Sequence, residues 1–298
     1  MSDKKKLVAI VGTTASGKSS LGIELAKHYG TEIVSADSRQ VYRHLDLGTG
    51  KVTAEEMAEV KHRLIDIIDL GEPFSMAEFQ TLAYESIDSI HALGKLPLLV
   101  GGTGLYARSV TDGYNLTDAP PNEQLRARLA DKSRDELIEI LRTYGDYSVD
   151  GEVSDRRIVR MIEKLDAGLS LADTAEPRYD VLKLGITFPR EVLNRRILER
   201  LDARIEEGMI EEVSRVLTLG ATPEFLERLG LEYRYTYRYI SGQYPSFEAY
   251  HEELYREICR FAKRQMTWFR RESDIIWLDE CGDMVSEAIG YIDNFLKK

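Results

Sequence analysis

Cysteine is scarce in this 298-residue chain, with Cys259 and Cys281 its only two. Neither has ligand-like spacing, so both read as reduced, structural thiols, and a zinc site or disulfide framework is not expected. Long apolar runs are missing as well: no stretch approaches the roughly 20 residues that a membrane span requires. Met1-Ser2-Asp3-Lys4-Lys5-Lys6 lead directly into an apolar strand rather than a secretory signal, so the expected compartment is the cytoplasm. Basic charge is in deficit too, at 40 Lys and Arg against 51 Asp and Glu, a formal net charge of -11. Taken alone, that total argues against a nucleic-acid partner. Its distribution does not, because residues 256 to 271 hold Arg256, Arg260, Lys263, Arg264, Arg270 and Arg271 against Glu257 alone. Internal repeats and low-complexity segments are absent. The remainder is ordinary for a soluble globular protein, 43% hydrophobic and 31% charged, and the chain is long enough for a core and a second lobe.

The most informative stretch is Gly12-Thr13-Thr14-Ala15-Ser16-Gly17-Lys18-Ser19, which satisfies G-x-x-x-x-G-K-[ST] at each fixed position. Leu7 to Val11 reads as a buried strand before it and Ser20 to Lys27 as a helix after it, the order a phosphate-binding loop needs. Glycines there let backbone N–H groups turn inward, and the helix N-terminus adds partial positive charge. Lys18 suits phosphate oxygens, and Ser19 suits Mg²⁺.

Beyond Gly30, a helix stop, Thr31 to Ser35 reads as a second strand running into Ala36-Asp37-Ser38-Arg39-Gln40. Residues just past the carboxyl end of a parallel strand lie in the ligand crevice, so Asp37 is a catalytic candidate by position. Capping the next turn is the competing role for Asp37 or Ser38. Two capping boxes follow, Thr53 to Glu56 and Ser75 to Glu78, and the helix after the second is expected to end near His91, before Gly94. Leu96 to Val100 then reads as a buried strand ending in Gly101-Gly102-Thr103-Gly104. P-loop ATPases carry an acidic residue at such an end to help hold Mg²⁺. Its replacement by a glycine-rich turn weakens ATP hydrolysis as a reading and leaves Thr103 as a donor.

From Asp112-Gly113 the texture turns polar and helical until Val181 to Phe188, the next strand-like run. The expected organisation is α/β, a P-loop kinase-like parallel sheet core over residues 1–112 and 181–298 with an inserted helical subdomain over 113–180. Ile158, Met161, Ile162 and Leu165 make an apolar stripe there, with Arg156, Arg160 and Lys164 on another face beside Arg157. A long helix starting at Pro189 buries Leu193, Ile197, Leu201 and Ile205. Its Arg196, Arg200 and Arg204 fall at four-residue intervals and, for the most part, read as a solvated stripe paired with Glu199 and Asp202. A later helix presents Phe247, Tyr250, Leu254, Ile258 and Phe261 to the core, while Arg256, Arg260 and Arg264 run toward Trp268 and Phe269. Basic residues interleaved with aromatics suit a nucleic-acid backbone and an unstacked base.

Six separated motifs, in order, give the chain its resemblance to the bacterial tRNA dimethylallyltransferases. They are Gly12 to Ser19, Ser35 to Arg43, His62 to Asp66, Gly101 to Tyr106, Asp155 to Arg160 and Ala262 to Arg270. The resemblance spans residues 7 to about 278. It implies transfer of a dimethylallyl group from its diphosphate to N6 of the adenosine beside the tRNA anticodon. On that resemblance the loop Gly12, Thr13, Thr14, Ala15, Ser16, Gly17, Lys18 and Ser19 holds the diphosphate, with Mg²⁺ on Ser19. Lys18 and Arg200 neutralise the leaving group, Asp37 accepts a hydrogen bond or proton from the adenine amine, and Thr103 orients it. The anticodon stem-loop is assigned to Asp37, Ser38, Arg39, Gln40, Arg126, Arg156, Arg157, Ile158, Val159 and Arg160. A monomer without membrane association is expected. Two departures stand out: Thr13 occupies the usual proline position, and Arg228 to Tyr235 replaces an isoleucine-glycine-tyrosine-arginine segment that touches tRNA. The alternative reading is a small-molecule or nucleotide kinase with Asp37 as base, and a third is a P-loop protein that binds RNA without chemistry.

Overall fold

A computed structural model describes residues 4–116, 121–151, 153–171, 175–279 and 282–298. Cys281 and part of the turn-forming segment after Asn115 lie outside the described residues. Two compact units emerge, one built from 1–113 and 177–298, the other from 114–176.

The larger unit is organised by a six-stranded sheet in which every neighbouring pair is parallel. Its strands are β1 (Lys6–Gly12), β2 (Ile33–Ser35), β3 (His62–Arg63), β4 (Leu98–Gly101), β5 (Asp180–Ile186) and β6 (Ile275–Trp277), in the order β3-β2-β4-β1-β5-β6. The helices among the described residues are α1 (Lys18–Tyr29), α2 (Ala54–Glu59), α3 (Met76–Ala92), α4 (Gly104–Thr111), α5 (Glu123–Leu129), α6 (Arg134–Arg142), α7 (Asp155–Asp166), α8 (Arg190–Glu206), α9 (Met209–Thr218), α10 (Pro223–Leu229), α11 (Leu231–Ile240), α12 (Phe247–Phe269) and α13 (Met284–Leu296).

Strand side chains alternate between faces, so a central strand covered by helices on both sides reads as one unbroken apolar run. β1 behaves in this way. Leu7, Ala9 and Val11 pack with Phe79, Ile87 and Ile90 of α3 and Tyr106 and Val110 of α4, whereas Val8 and Ile10 pack with Leu21 and Leu25 of α1 and Ile292 of α13. The chain signals at helix ends hold. Gly30 caps α1 with φ 59°, and both capping boxes form, Thr53 with Glu56 and Ser75 with Glu78. A third cluster joins Ala15 of the phosphate loop to Leu193 and Ile197 of α8 and Leu254, Ile258 and Ala262 of α12. Phe247 departs from the expected core face: it is exposed at the start of α12, one turn before the buried Tyr250.

Residues 114–176 contain α5, α6 and α7 around a core of Leu125, Leu129, Leu137, Leu141, Ile158 and Ile162. Ile158 is wholly buried there and Val159 packs against the same cluster, so the Ile158 side chain belongs to this core. Arg126 is likewise committed. Its Nε and Nη2 donate to Glu163 at 2.7 and 3.2 Å, and Arg160 Nη1 donates to the same carboxylate at 3.1 Å. Glu163 is 3% exposed, and a buried carboxylate needs such partners. Arg156 and Arg157 remain exposed on α7. Among the described residues, no helix is long and apolar enough to cross a membrane.

Candidate active site

The loop from Gly12 to Gly17 takes its shape from close approaches that only small residues allow. A Cβ on Gly12 would fall 2.7 Å from Ser16 Oγ and 2.8 Å from the Ile186 carbonyl oxygen, and Gly17 turns into α1 through φ 89°. Ala15 also adopts a positive φ, 58°, a strained choice for a side-chain-bearing residue and one that concentrates at ligand clamps. Gly17 supplies no side-chain cap, so the first N–H groups of α1 are left to a ligand. Thr13 Oγ1 and Ser16 Oγ are buried without a hydrogen-bond partner. Two orphaned hydroxyls beside uncapped amides make a cradle for an anion.

Cations converge on this cradle. Lys18 Nζ donates to the Thr13 carbonyl at 3.3 Å, Arg196 Nε to the Ala15 carbonyl at 2.9 Å, and Arg200 Nη2 to Thr14 Oγ1. Arg196 also lies over the Phe188 ring, 4.7 Å from its centroid. Arg204, one turn further, is 7% exposed and sits 3.5 Å from Glu232. The expectation that these α8 arginines are mostly a solvated stripe is therefore corrected. Arg195 pairs with Glu199 in solvent and Asp202 meets His251, while Arg196, Arg200 and Arg204 turn inward. Four-residue spacing aligns side chains on a helix face without saying what that face meets.

Burial pushes Lys18 down to about 8, with Arg200 adding repulsion, and Asp37 opposing it. Burial also pushes Arg200 down to about 9, seconded by Arg204. Both stay charged at neutral pH. Neither is joined by a salt bridge to a carboxylate among the described residues. The charges of Lys18 and Arg200 have thus been taken out of water without a salt-bridged carboxylate among the described residues, an arrangement suited to a multiply charged anion.

The opposite wall is formed by the ends of β2 and β4. Gly101 packs so tightly on Ala36 that any Cβ would overlap its carbonyl, and a Cβ on Gly102 would lie 3.2 Å from Lys18 Nζ. No carboxylate follows β4, which continues as Gly102-Thr103-Gly104. Asp37 Oδ1 accepts the Arg39 N–H at 2.9 Å, so the turn-capping role does exist, but it uses only one oxygen. Thr103 Oγ1 accepts the Ser38 N–H at 3.4 Å, which brings Asp37 and Thr103 to one edge of the crevice. Gln40 is held at both ends of its amide, accepting from Ser35 Oγ at 3.1 Å and donating to the Gly50 carbonyl at 3.1 Å. Arg39 donates from Nε to the Leu229 carbonyl, next to Gly230, where the divergent 228–235 segment passes from α10 to α11.

Two residues without an assigned role in the sequence reading hold this geometry. Gln265 of α12 accepts the Thr14 N–H at 2.8 Å and donates to the Gly102 carbonyl at 2.9 Å, tying the phosphate loop to the end of β4. Glu212 of α9, 1% exposed, accepts the N–H groups of Asp46, Leu47 and Gly48 at 3.1, 2.8 and 3.1 Å and the Tyr233 hydroxyl at 2.6 Å. That carboxylate anchors the loop whose Gly50 in turn fixes Gln40. Nothing in local spacing marks Glu212, since its partners lie more than 160 residues away for the three amides.

The chain as a whole is similar to known proteins. The tRNA dimethylallyltransferase 2 of Treponema denticola is 45% identical over 283 residues, covering 91% of this chain and 93% of that one. The tRNA dimethylallyltransferase 1 of Geotalea daltonii is 41% identical, covering 97% and 95%. Among solved structures, the full-length tRNA isopentenylpyrophosphate transferase of Bacillus halodurans matches with a TM-score of 0.74 and 38% identity, over 99% of this chain and 96% of that one. The sequence profile of the IPP transferases matches residues 40–272, and the chain belongs to that family.

Proposed function

We propose that the protein transfers a dimethylallyl group from dimethylallyl diphosphate to N6 of the adenosine 3′-adjacent to the anticodon in tRNA. One observation carries this reading: buried, uncompensated cations surround a phosphate cradle whose facing strand end lacks a carboxylate. In the reaction the amine nitrogen bonds to C1 of the allyl group as the C1–O bond breaks and diphosphate departs. Negative charge then grows on the leaving oxygens. Lys18, Arg196, Arg200 and the amides of the Gly12–Ser19 loop meet it, with little reorganisation because their positions are already fixed by the contacts above. Asp37, through the oxygen left over from its turn, accepts the proton lost by the attacking amine, and Thr103 orients that amine.

The donor set also fits Mg²⁺. A hydroxyl is the hard oxygen ligand this ion prefers, and Mg²⁺ is commonly held by one or two protein oxygens plus substrate phosphates. Ser19 supplies that oxygen beside a small cavity of about 20 Å³ shared with Ser35 and Gln40. Bound there, the ion would add positive charge at the leaving oxygens. For the RNA, Asp37 to Gln40 and the exposed Arg156 and Arg157 are the proposed contacts.

The test is direct. Purified protein with Mg²⁺ is incubated with labelled dimethylallyl diphosphate and an anticodon stem-loop carrying the target adenosine. Label should pass to the RNA and diphosphate should accumulate. Consumption of ATP with unmodified RNA would support the kinase alternative instead.

A further inference from the structure

Glu232 stands in the divergent 228–235 segment, in the first turn of α11. An acidic side chain is ordinary at a helix N-terminus, where it meets water and the positive end of the dipole. Glu232 faces a different partner. Its side chain is only 13% exposed, and its Oε1 lies 3.5 Å from Nη1 of Arg204, a guanidinium that is itself buried. Among the described residues it is the one carboxylate paired with Arg204.

The backbone on either side of Glu232 is pinned. The Leu229 carbonyl accepts from Arg39 Nε, while Tyr233 packs its ring on Gly48 and donates its hydroxyl to Glu212 at 2.6 Å. A carboxylate carried on so fixed a segment dictates where its partner lies. Arg204 accordingly rests on Gly50, so closely that a Cβ there would overlap the guanidinium. It is the third arginine of the α8 row. Arg196 and Arg200 donate to the phosphate loop, whereas Arg204, one turn further, meets Gly50 and Glu232. Its charge is felt at the cradle all the same. Burial and then Arg204 depress the pKa of Arg200, with Glu232 opposing them, and Lys18, pushed down by burial and Arg200, is pushed down by Arg204 as well.

So cationic a cradle has a drawback for an enzyme whose leaving group must depart. Contacts that hold substrate, transition state and product alike raise affinity without speeding the chemical step. The geometry points to Glu232 as a positioning residue that holds Arg204 on Gly50 and off the diphosphate, so that the product is not retained. The inference rests on the transferase reading for diphosphate as that product. Lys18, Arg196 and Arg200 then meet the leaving group, while the charge of Arg204 is answered by Glu232.

The test compares wild type with E232Q, E232D, R204M and R204M/E232Q, each checked for folding by its unfolding temperature. Calorimetry with inorganic diphosphate and Mg²⁺ reads affinity without turnover, and product inhibition of transfer reads it again in the working enzyme. Unit charges roughly 10 Å apart at an effective dielectric of about 20 alter each other's binding by about tenfold, so E232Q should bind diphosphate about tenfold more tightly and be inhibited by it at correspondingly lower concentration. Single-turnover transfer by E232Q should be no slower than in the wild type, an outcome that loss of a structural prop would not give. E232D keeps the charge and should stay close to the wild type. R204M leaves the carboxylate unanswered and should weaken diphosphate binding, whereas R204M/E232Q, which removes both charges, should return toward wild-type affinity. Unchanged diphosphate affinity in E232Q would overturn the proposal. So would weaker affinity, which would make Glu232 a strut that the cradle needs. A wild type that does not bind diphosphate would sink both readings, whereas one that binds it, tightens in E232Q and leaves RNA unmodified would sink the transferase reading alone.

Discussion

Replacing Arg200 by methionine should make the ligand-free protein more stable while disabling it. Arg200 is buried, hydrogen-bonds the Thr14 hydroxyl, and has no ion pair among the described residues. Burial pushes its pKa down to about 9, which marks holding that charge as costly. Even buried ion pairs, whose charges compensate each other, are often matched or bettered by about 1–4 kcal/mol when apolar residues of similar volume replace them. A net gain of about 1–3 kcal/mol is therefore expected for R200M, seen as a rise of roughly 2–8 °C in the unfolding temperature. Inorganic diphosphate with Mg²⁺ should raise the wild-type unfolding temperature and raise that of R200M much less, since a ligand stabilises only as far as it binds. Transfer should fall by about 10²- to 10³-fold in kcat, the usual loss when one preorganised donor to developing charge is removed. R195M is the control, because Arg195 is a solvated residue paired with Glu199 at 3.9 Å. If R200M unfolds below the wild type in the absence of ligand, the guanidinium is a structural strut and the uncompensated-cation argument fails.

Asp37→Asn should abolish transfer and leave stem-loop affinity within about twofold, measured by single-turnover labelling beside a binding titration; near-normal turnover would exclude Asp37 as the proton acceptor. Lys18 is charged below a pKa of about 8 in the free protein, so affinity for diphosphate should be full below pH 8 and weaken as pH rises through that value. Calorimetry at several pH values reads this trend, and K18M should lose it. Glu212→Ala would strip one buried acceptor from three N–H groups and the Tyr233 hydroxyl, at about 1–3 kcal/mol for each donor left unsatisfied. Water entering the space offsets part of that, leaving a destabilisation of about 3–5 kcal/mol; a change below 1 kcal/mol would show that the 46–48 loop has another anchor. Gln265→Leu, which removes the bridge between Thr14 and Gly102, should lower kcat with stem-loop affinity retained, and unchanged kinetics would deny it a positioning role.

Local signals were legible where short-range stereochemistry dictates the outcome. Gly17 must turn at positive φ before α1, Gly30 must end that helix, and Thr53 with Glu56 can satisfy each other's backbone donors within one turn. The unbroken apolar run of β1 announced a strand covered on both faces. The phosphate loop and the bare end of β4 followed from such features, and they narrowed the ligand to a phosphate outside ordinary ATP chemistry.

Partnership at long range was not legible. Arg196, Arg200 and Arg204 have the spacing of a solvated stripe, and Arg126 and Ile158 sat among residues assigned to RNA. Only the packed chain shows three of these arginines turned onto the phosphate loop and its surroundings, Arg126 clamped on Glu163, and Ile158 sealed in a core. The physical reason is that helical periodicity fixes the relative directions of side chains about their own axis, whereas charge compensation depends on what another element brings to that face. The sequence by itself determined a phosphate cradle on a parallel sheet. Tertiary structure decided how many cations that cradle receives, and left Lys18 and Arg200 without a salt-bridged carboxylate among the described residues.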